Sequence, residues 1–186
     1  MPNDSKRLIH ILDEVKSVLS SLKLDELELL SGRILSAKWV FIASAGRSGL
    51  VMRMFAIRLT QAGIPTHVAG DPTTPACAQG DLFLIGSGSG NTLSIRVLAE
   101  QAKKAGCEVV LITRDPSSAI AIPFDTKLYI PVPLDASQPG GLSSTQPLGT
   151  LFEQSLMFVT DLLFEKIMEK KGLLSKDLHI RHANLE

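Results

Sequence analysis

Residues 87–92, Ser-Gly-Ser-Gly-Asn-Thr, place three hydroxyl side chains and two glycines in one short turn. The turn follows an apolar run and precedes a helical pattern, so it should connect a buried strand to a helix. Hydroxyl donors, backbone amides and the positive end of a helix dipole all favour a bound anion. The lysine of a P-loop and the spacing of a dinucleotide fingerprint are both absent. We therefore interpret Ser87, Gly88, Ser89 and Thr92 as a phosphate-binding turn rather than a simple helix cap.

A second turn of this kind, Ser-Ala-Gly-Arg-Ser-Gly, occupies residues 44–49. Its glycines permit close approach of the backbone to a ligand, and an arginine adds a cationic fork. From the residues alone, an anion-binding turn and an ordinary strand–helix turn capped by Ser48 are equally good interpretations. The candidate binding residues in this turn are Ser44, Gly46, Arg47 and Ser48.

Glu153 and His182 are the side chains that could transfer protons. Glu153 lies three residues after Thr150, the spacing of a capping box, and spacing alone favours that structural role. His182 is near the end of the sequence, where a lone histidine is usually exposed. The histidines and cysteines lack the spacing of metal ligands, so we predict no metal site.

Strands and helices must position these side chains, and they alternate along the chain. Strands are predicted at 39–43, 66–68, 82–85, 108–113 and 127–130, with helices between them. This alternation predicts an α/β fold, a three-layer α/β/α sandwich around a five-stranded parallel sheet. Ligands of such sheets bind beyond the carboxyl ends of the strands, so both polar turns should face one crevice.

The chain is predicted to form a single domain over residues 1–186. Two helices occupy 1–37, the parallel α/β core 38–131, a loop rich in proline and glycine 132–149, and a long helix with a tail 150–186. The long helix is apolar over most of its circumference, and packing against another subunit would explain that pattern.

Charge and hydropathy exclude several classes of partner. The 19 basic and 19 acidic residues balance, with no basic cluster, which argues against nucleic acid. Charges interrupt every apolar run before the ~18 residues of a membrane span. The polar start lacks the apolar stretch of a secretory signal, and the two cysteines form no Cys-x-x-Cys pair. We therefore expect a cytoplasmic protein.

Four motifs together resemble a known family. The runs at 46–49 (GRSG), 87–92 (S-G-S-G-x-T), 149–153 (GTLFE) and 181–186 (RHANLE) are similar, in order, to the 6-phospho-3-hexuloisomerase family of sugar-isomerase (SIS) domain proteins. The serine-rich run marks only the wider superfamily, whereas the last two runs are far more specific. The likeness extends from about Ile9 to the last residue.

The resemblance implies a flavodoxin-like SIS fold and a homotetramer that binds a sugar phosphate between subunits, with no metal or organic cofactor. It implies interconversion of D-arabino-hex-3-ulose 6-phosphate and D-fructose 6-phosphate through an enediol, in the ribulose monophosphate pathway of formaldehyde fixation. By family-like position Glu153 would be the base. His182 would be the ring-opening acid or the alternative base. Asn91 stands where the family usually has Glu, so a contact through that carboxylate should be lost or weakened.

Other functions are compatible with the same residues. A different SIS isomerase would act on arabinose 5-phosphate or sedoheptulose 7-phosphate. A non-catalytic sugar-phosphate sensor would bind fructose 6-phosphate without turnover. A flavodoxin-like nucleotide binder would show flavin absorbance when purified.

Overall fold

A parallel sheet forms the centre of the molecule. The computed structural model describes residues 4–118, 120, 126–133 and 144–184. Within these ranges five parallel strands form one sheet in the order β2-β1-β3-β4-β5. The strands are β1 (Val40–Ser44), β2 (Thr66–Val68), β3 (Leu82–Gly86), β4 (Glu108–Thr113) and β5 (Thr126–Tyr129).

Helices cover both faces of the sheet, and the predicted α/β sandwich with five parallel strands is confirmed. The helices are α1 (Asp4–Leu19), α2 (Leu24–Ser36), α3 (Gly46–Gln61), α4 (Leu93–Lys104), α5 (Thr150–Lys171) and α6 (Ser175–Leu178), with a 3-10 turn at His179–Arg181. In the part of the chain that the structure describes, no helix is both long and apolar enough to cross a membrane.

Two apolar cores lie on opposite faces of the sheet. Ile42, Leu84 and Ile112 point into the core that α2, α3 and α5 share. Their strand neighbours, such as Phe41 and Phe83, point into a smaller core against α4. Side chains alternate between the two faces, so a strand that is buried on both faces must be apolar throughout. This explains why the strands appear in the sequence as short apolar runs.

The apolar circumference of α5 is explained within the chain. Side chains from successive turns of the helix, such as Leu156, Val159 and Leu163, are fully buried. They belong to the same core as side chains of α1, α2 and α3, which pack around the helix. Another subunit is therefore not needed to explain this pattern, contrary to the interpretation of the sequence.

Element boundaries differ from the predicted ones near the site. Strand β1 begins at Val40 rather than at Trp39, whose ring packs on His67 with centroids 4.8 Å apart. Helix α3 begins at Gly46 rather than near Leu50, so the first polar turn is largely helical. The predicted loop 132–149 lies partly outside the described residues.

Candidate active site

A cavity of about 230 Å³ lies at the carboxyl ends of β1, β3 and β4. Parallel strands end at one edge of their sheet, so the turns that follow them converge there. The two polar turns consequently share one crevice, and the start of α5 closes its other side. The predicted site residues that line it are Ser48, Ser87, Gly88, Ser89, Thr92 and Glu153.

The hydroxyl oxygens of the serine turn are held by the turn's own backbone. Ser87 Oγ accepts the Gly90 N–H at 3.2 Å, and Ser89 Oγ accepts the Asn91 N–H at 3.3 Å. The N–H groups of Gly90 and Asn91 are therefore already hydrogen-bonded within the turn. A serine oxygen that accepts a hydrogen bond still has its own proton to donate. Ser87 and Ser89 each therefore keep a hydroxyl proton for donation in the cavity wall.

Glycines let the serine turn approach its neighbours closely. Gly90 has φ +59°, and a Cβ there would lie 1.9 Å from Ser118 Oγ. A Cβ on Gly88 would lie 2.8 Å from Cδ1 of Phe152 in α5. Side chains at these positions would push the turn away from both walls, so the glycines are needed for the shape of the cavity.

Glu153 does not act in a capping box. Helix α5 begins at Thr150 itself, after Gly149 at the N-cap, and no side chain caps it. The Thr150 hydroxyl instead donates to the Pro147 carbonyl at 2.7 Å. The Glu153 carboxylate is 15% exposed and accepts a hydrogen bond from Arg47 Nε at 2.5 Å. The spacing was misleading because the helix starts one residue earlier than a capping box on Thr150 requires.

The first polar turn contributes less to the cavity than the second. Ser44 donates its hydroxyl to the Gly86 carbonyl at 2.5 Å, which ties β1 to β3. Gly46 has φ +57° where α3 begins. Arg47 is 69% exposed and meets Glu153 at the rim. Ser48 is thus the predicted residue of this turn that lines the cavity.

His182 lies away from the cavity of its own chain. The 3-10 turn that precedes it packs on α3, and the Arg181 guanidinium lies about 3.1 Å from the position of a Cβ on Gly63. Gly63 follows the C-terminal end of α3, whereas the N-terminal end of that helix faces the cavity. A helix of 16 residues separates these ends by ~24 Å. One chain does not bring Glu153 and His182 together.

Arg114 is a cavity residue that the sequence interpretation missed. It follows β4 directly and lines the cavity beside the serine turn. The Ser87 N–H donates to the Ile112 carbonyl at 2.9 Å, and Thr113 Oγ1 donates to the Gly88 carbonyl at 3.3 Å. Residues 112–114 therefore run alongside the serine turn. The rule that strand ends face the ligand, applied to β4, would have found Arg114.

The segment that leads into α5 is attached to α1 through Glu14. One carboxylate oxygen of Glu14 accepts the backbone N–H and the hydroxyl of Thr145 at 2.8 and 3.0 Å. The other accepts Ser144 Oγ and Gln146 Nε2 at 2.8 and 2.9 Å. Burial raises the pKa of Glu14, but these hydrogen bonds outweigh it and lower the pKa to about 2.

Glu14→Gln is therefore expected to destabilise the fold by about 2–3 kcal/mol near neutral pH. Because the pKa of folded Glu14 is lowered, its contribution is complete above its ordinary value of 4.5 and is lost as the pH falls toward 2. Urea unfolding at pH 7, 4 and 3 should show the two proteins converging in acid. Asp13→Asn, at an exposed neighbour, is the control. If the difference in the free energy of unfolding between wild type and Glu14→Gln stayed constant with pH, this account would be contradicted.

The fold and the cavity together define the class of protein to which this chain belongs. This is a parallel α/β sandwich with a polar cavity at its strand ends, lined by a serine-rich turn and a carboxylate. The SIS domain model matches residues 33–158, which span the sheet and the start of α5. The chain belongs to the SIS domain family.

Similar proteins narrow the family. A 3-hexulose-6-phosphate isomerase of Mycobacterium gastri is 41% identical over 95% of this chain and 88% of its own length. A protein of the same name from Bacillus subtilis is 41% identical, covering 95% of both chains. These relatives confirm the resemblance to the 6-phospho-3-hexuloisomerase family. The names 3-hexulose-6-phosphate isomerase and 6-phospho-3-hexuloisomerase describe the same activity.

Solved structures agree in fold. A protein of Methanococcus jannaschii matches with a TM-score of 0.84 at 27% identity, over 97% of this chain and 99% of its own. From that structure, a molecular function of 3-hexulose-6-phosphate isomerase was inferred for the M. jannaschii protein. An E. coli CFT073 protein solved in complex with arabinose 5-phosphate matches with a TM-score of 0.76 at 25% identity, over 98% and 100%.

Proposed function

We propose that this protein is a cytoplasmic 3-hexulose-6-phosphate isomerase that interconverts D-arabino-hex-3-ulose 6-phosphate and D-fructose 6-phosphate in the ribulose monophosphate pathway. Two relatives of that name, each 41% identical over 95% of the chain, support the substrate. The observation that carries the chemistry is a mostly buried carboxylate, Glu153, in one cavity with a hydroxyl-rich turn at a helix start.

The reaction moves a carbonyl from C3 to C2, and one base can carry the proton between these two carbons. Glu153 removes the proton from C2, and the electrons of that C–H bond form an enediolate across C2 and C3. The hydroxyl proton on O2 then passes to O3, which moves the charge to O2, and return of the first proton from Glu153 to C3 leaves the carbonyl at C2. Arg47 Nε donates a hydrogen bond to the Glu153 carboxylate and so holds it in position at the rim of the cavity.

The serine turn would hold the phosphate while these protons move. Ser87, Ser89 and Thr92 line the cavity ahead of α4, whose first-turn amides point toward the same space. Ser48 lines the same cavity. Fixing the phosphate positions the sugar's upper carbons beside Glu153, and such positioning lowers the barrier without any new chemistry.

We place His182 in the cavity of a neighbouring subunit within a homotetramer. The distance between His182 and Glu153 in one chain supports an arrangement in which the two meet only across an interface. Leu50, Met54 and Ile57 form an exposed apolar row on α3, the helix whose first turn lies at the site. Exposed apolar rows of this kind are typical of protein–protein contacts.

Mixed assemblies test this arrangement. His182→Ala and Glu153→Gln subunits, each inactive alone, should regain about a quarter of wild-type activity when co-assembled, since random pairing in a symmetric oligomer rebuilds that share of sites. Recovery is measured after the two variants, carrying different affinity tags, are co-expressed and purified together. If co-assembled protein stays inactive, His182 serves its own chain's site. An active His182→Ala homo-oligomer would remove His182 from the reaction.

The proposed activity is tested by a coupled assay for fructose 6-phosphate formed from freshly prepared 3-hexulose 6-phosphate. The structural likeness to the E. coli protein and its bound sugar phosphate makes arabinose 5-phosphate the main competing substrate, and sedoheptulose 7-phosphate completes the panel. A kcat/KM for the hexulose at least ~100-fold above the others is expected. Binding of fructose 6-phosphate without turnover of any sugar would instead indicate a sensor.

A further inference from the structure

The charges around the cavity are unevenly compensated. Among the described residues that line it, Glu153 and Arg114 are the charged ones. Glu153 is paired with Arg47 at the rim, so the anionic and cationic charges of that pair cancel. Arg114 forms no ion pair with any carboxylate in residues 4–118, 120, 126–133 or 144–184. The cavity therefore carries one positive charge that the described chain does not neutralise.

Few of the hydrogen-bond donors of Arg114 have partners among the described residues. A guanidinium has five N–H donors and no acceptor. One Nη1–H donates to the Pro133 carbonyl at a long 3.4 Å. Nε is buried and has no hydrogen-bond partner within the part of the chain that the structure describes. A buried donor without a partner costs about 1–3 kcal/mol, and a ligand that accepts from it would recover that energy.

The backbone holds Arg114 next to the serine turn. Thr113 Oγ1 bonds the Gly88 carbonyl and also accepts the Asp115 N–H at 3.0 Å, so the residues on either side of Arg114 are fixed. The guanidinium thus enters the cavity from β4 while the hydroxyls of Ser87 and Ser89 enter from β3. A phosphate at the serine turn would have both neutral donors and this cation in the same cavity.

We propose that the Arg114 guanidinium binds the substrate's phosphate as a dianion, beside the serine turn. This role rests on the proposed function and adds to it the residue that recognises the charge of the substrate. Hydroxyls and amides bind an anion but do not neutralise it, whereas the planar fork of arginine does both. Arg47, whose Nε is already bonded to Glu153, is less suited to this role.

The test measures binding of inorganic phosphate and of fructose 6-phosphate by calorimetry, in wild type, Arg114→Gln and Arg114→Lys. We expect Arg114→Gln to weaken both ligands at least ~10-fold, because a charge-assisted hydrogen bond is lost. Arg114→Lys keeps the charge but not the fork, and should weaken them several-fold. Arg53→Gln, at an exposed arginine paired with Asp71, is the control and should bind like wild type.

A pH series separates this role from a structural one. The second pKa of a phosphate ester is ~6, so wild-type affinity should rise between pH 5 and 7.5 as the dianion forms. That rise should be much smaller in Arg114→Gln. Wild-type phosphate affinity in both Arg114 variants would overturn the proposal, as would an undiminished rise with pH. If Arg114→Gln does not fold, wild-type phosphate affinity in Arg114→Lys would overturn the proposal.

Failure of the proposed isomerase function would give a different result from failure of the Arg114 proposal. Phosphate binding that depends on Arg114, in a protein that turns over no sugar phosphate, would leave Arg114 in its role and refute the isomerase. Turnover of the hexulose phosphate, with a phosphate affinity that does not depend on Arg114, would support the isomerase and refute the role of Arg114.

Discussion

Replacement of Glu153 by Gln is expected to lower kcat about 10²–10⁴-fold, the usual contribution of a general base. The amide has nearly the shape of the carboxylate but cannot take the proton from C2. Binding of fructose 6-phosphate, measured by calorimetry, should change by less than ~10-fold, because the serine turn remains intact. The loss should therefore appear in kcat and not in the dissociation constant.

A matched control lies on the same helix. Glu165 is exposed on α5, and Glu165→Gln should leave kcat unchanged. Glu153→Gln also removes the ion pair with Arg47, so thermal unfolding should be compared for both variants. An ion pair this close to solvent contributes no more than ~1 kcal/mol, so only a small change in stability is expected. Near-normal turnover in Glu153→Gln would mean that another residue acts as the base.

Removal of both cavity serines is expected to raise KM steeply. Ser87→Ala with Ser89→Ala deletes two hydroxyl donors, and a hydrogen bond to a charged group contributes about 1.5–3 kcal/mol. The expected rise in KM for the hexulose phosphate is thus on the order of 10²-fold or more, with a smaller change in kcat. Steady-state kinetics and calorimetry with inorganic phosphate should agree, since both report the same contact.

The serines also shape their own turn, and the design must separate the two effects. Ser87 Oγ and Ser89 Oγ hold the N–H groups of Gly90 and Asn91. Ser89→Ala alone removes the more exposed of the two hydroxyls and should raise KM with little change in thermal stability. Ser20→Ala with Ser36→Ala, at serines near the ends of α1 and α2, is the control. An unchanged KM in the cavity variant would exclude the phosphate-binding role.

Much of the fold follows from local patterns in the chain. A strand buried on both faces must be apolar throughout, so runs such as 82–86 and 108–113 are visible without a structure. A turn that needs a positive φ, as at Gly90, is marked by its glycine. The parallel order follows from strand–helix alternation, and parallel strands bring their polar turns to one edge.

Pairings between distant parts of the chain were not predictable in this way. Glu153 looked like a capping residue by its spacing to Thr150, yet its partner is Arg47, 106 positions away. Arg114 has no special spacing and becomes a site residue only because β4 lies beside β3. The Glu14 carboxylate accepts hydrogen bonds from residues that lie 130 to 132 positions away in the sequence. Local rules describe residues within a few positions of one another and carry no information about such contacts.

By itself, then, the sequence determined the layers, the parallel sheet and the two polar turns at its edge, because backbone geometry and burial impose them within each short segment. The tertiary structure alone decided which charges meet in the cavity. It paired Glu153 with Arg47, left Arg114 without an ion pair among the described residues, and packed the tail with His182 at the far end of α3. These outcomes depend on how helices and strands pack in three dimensions, and electrostatic interactions act through space rather than along the chain.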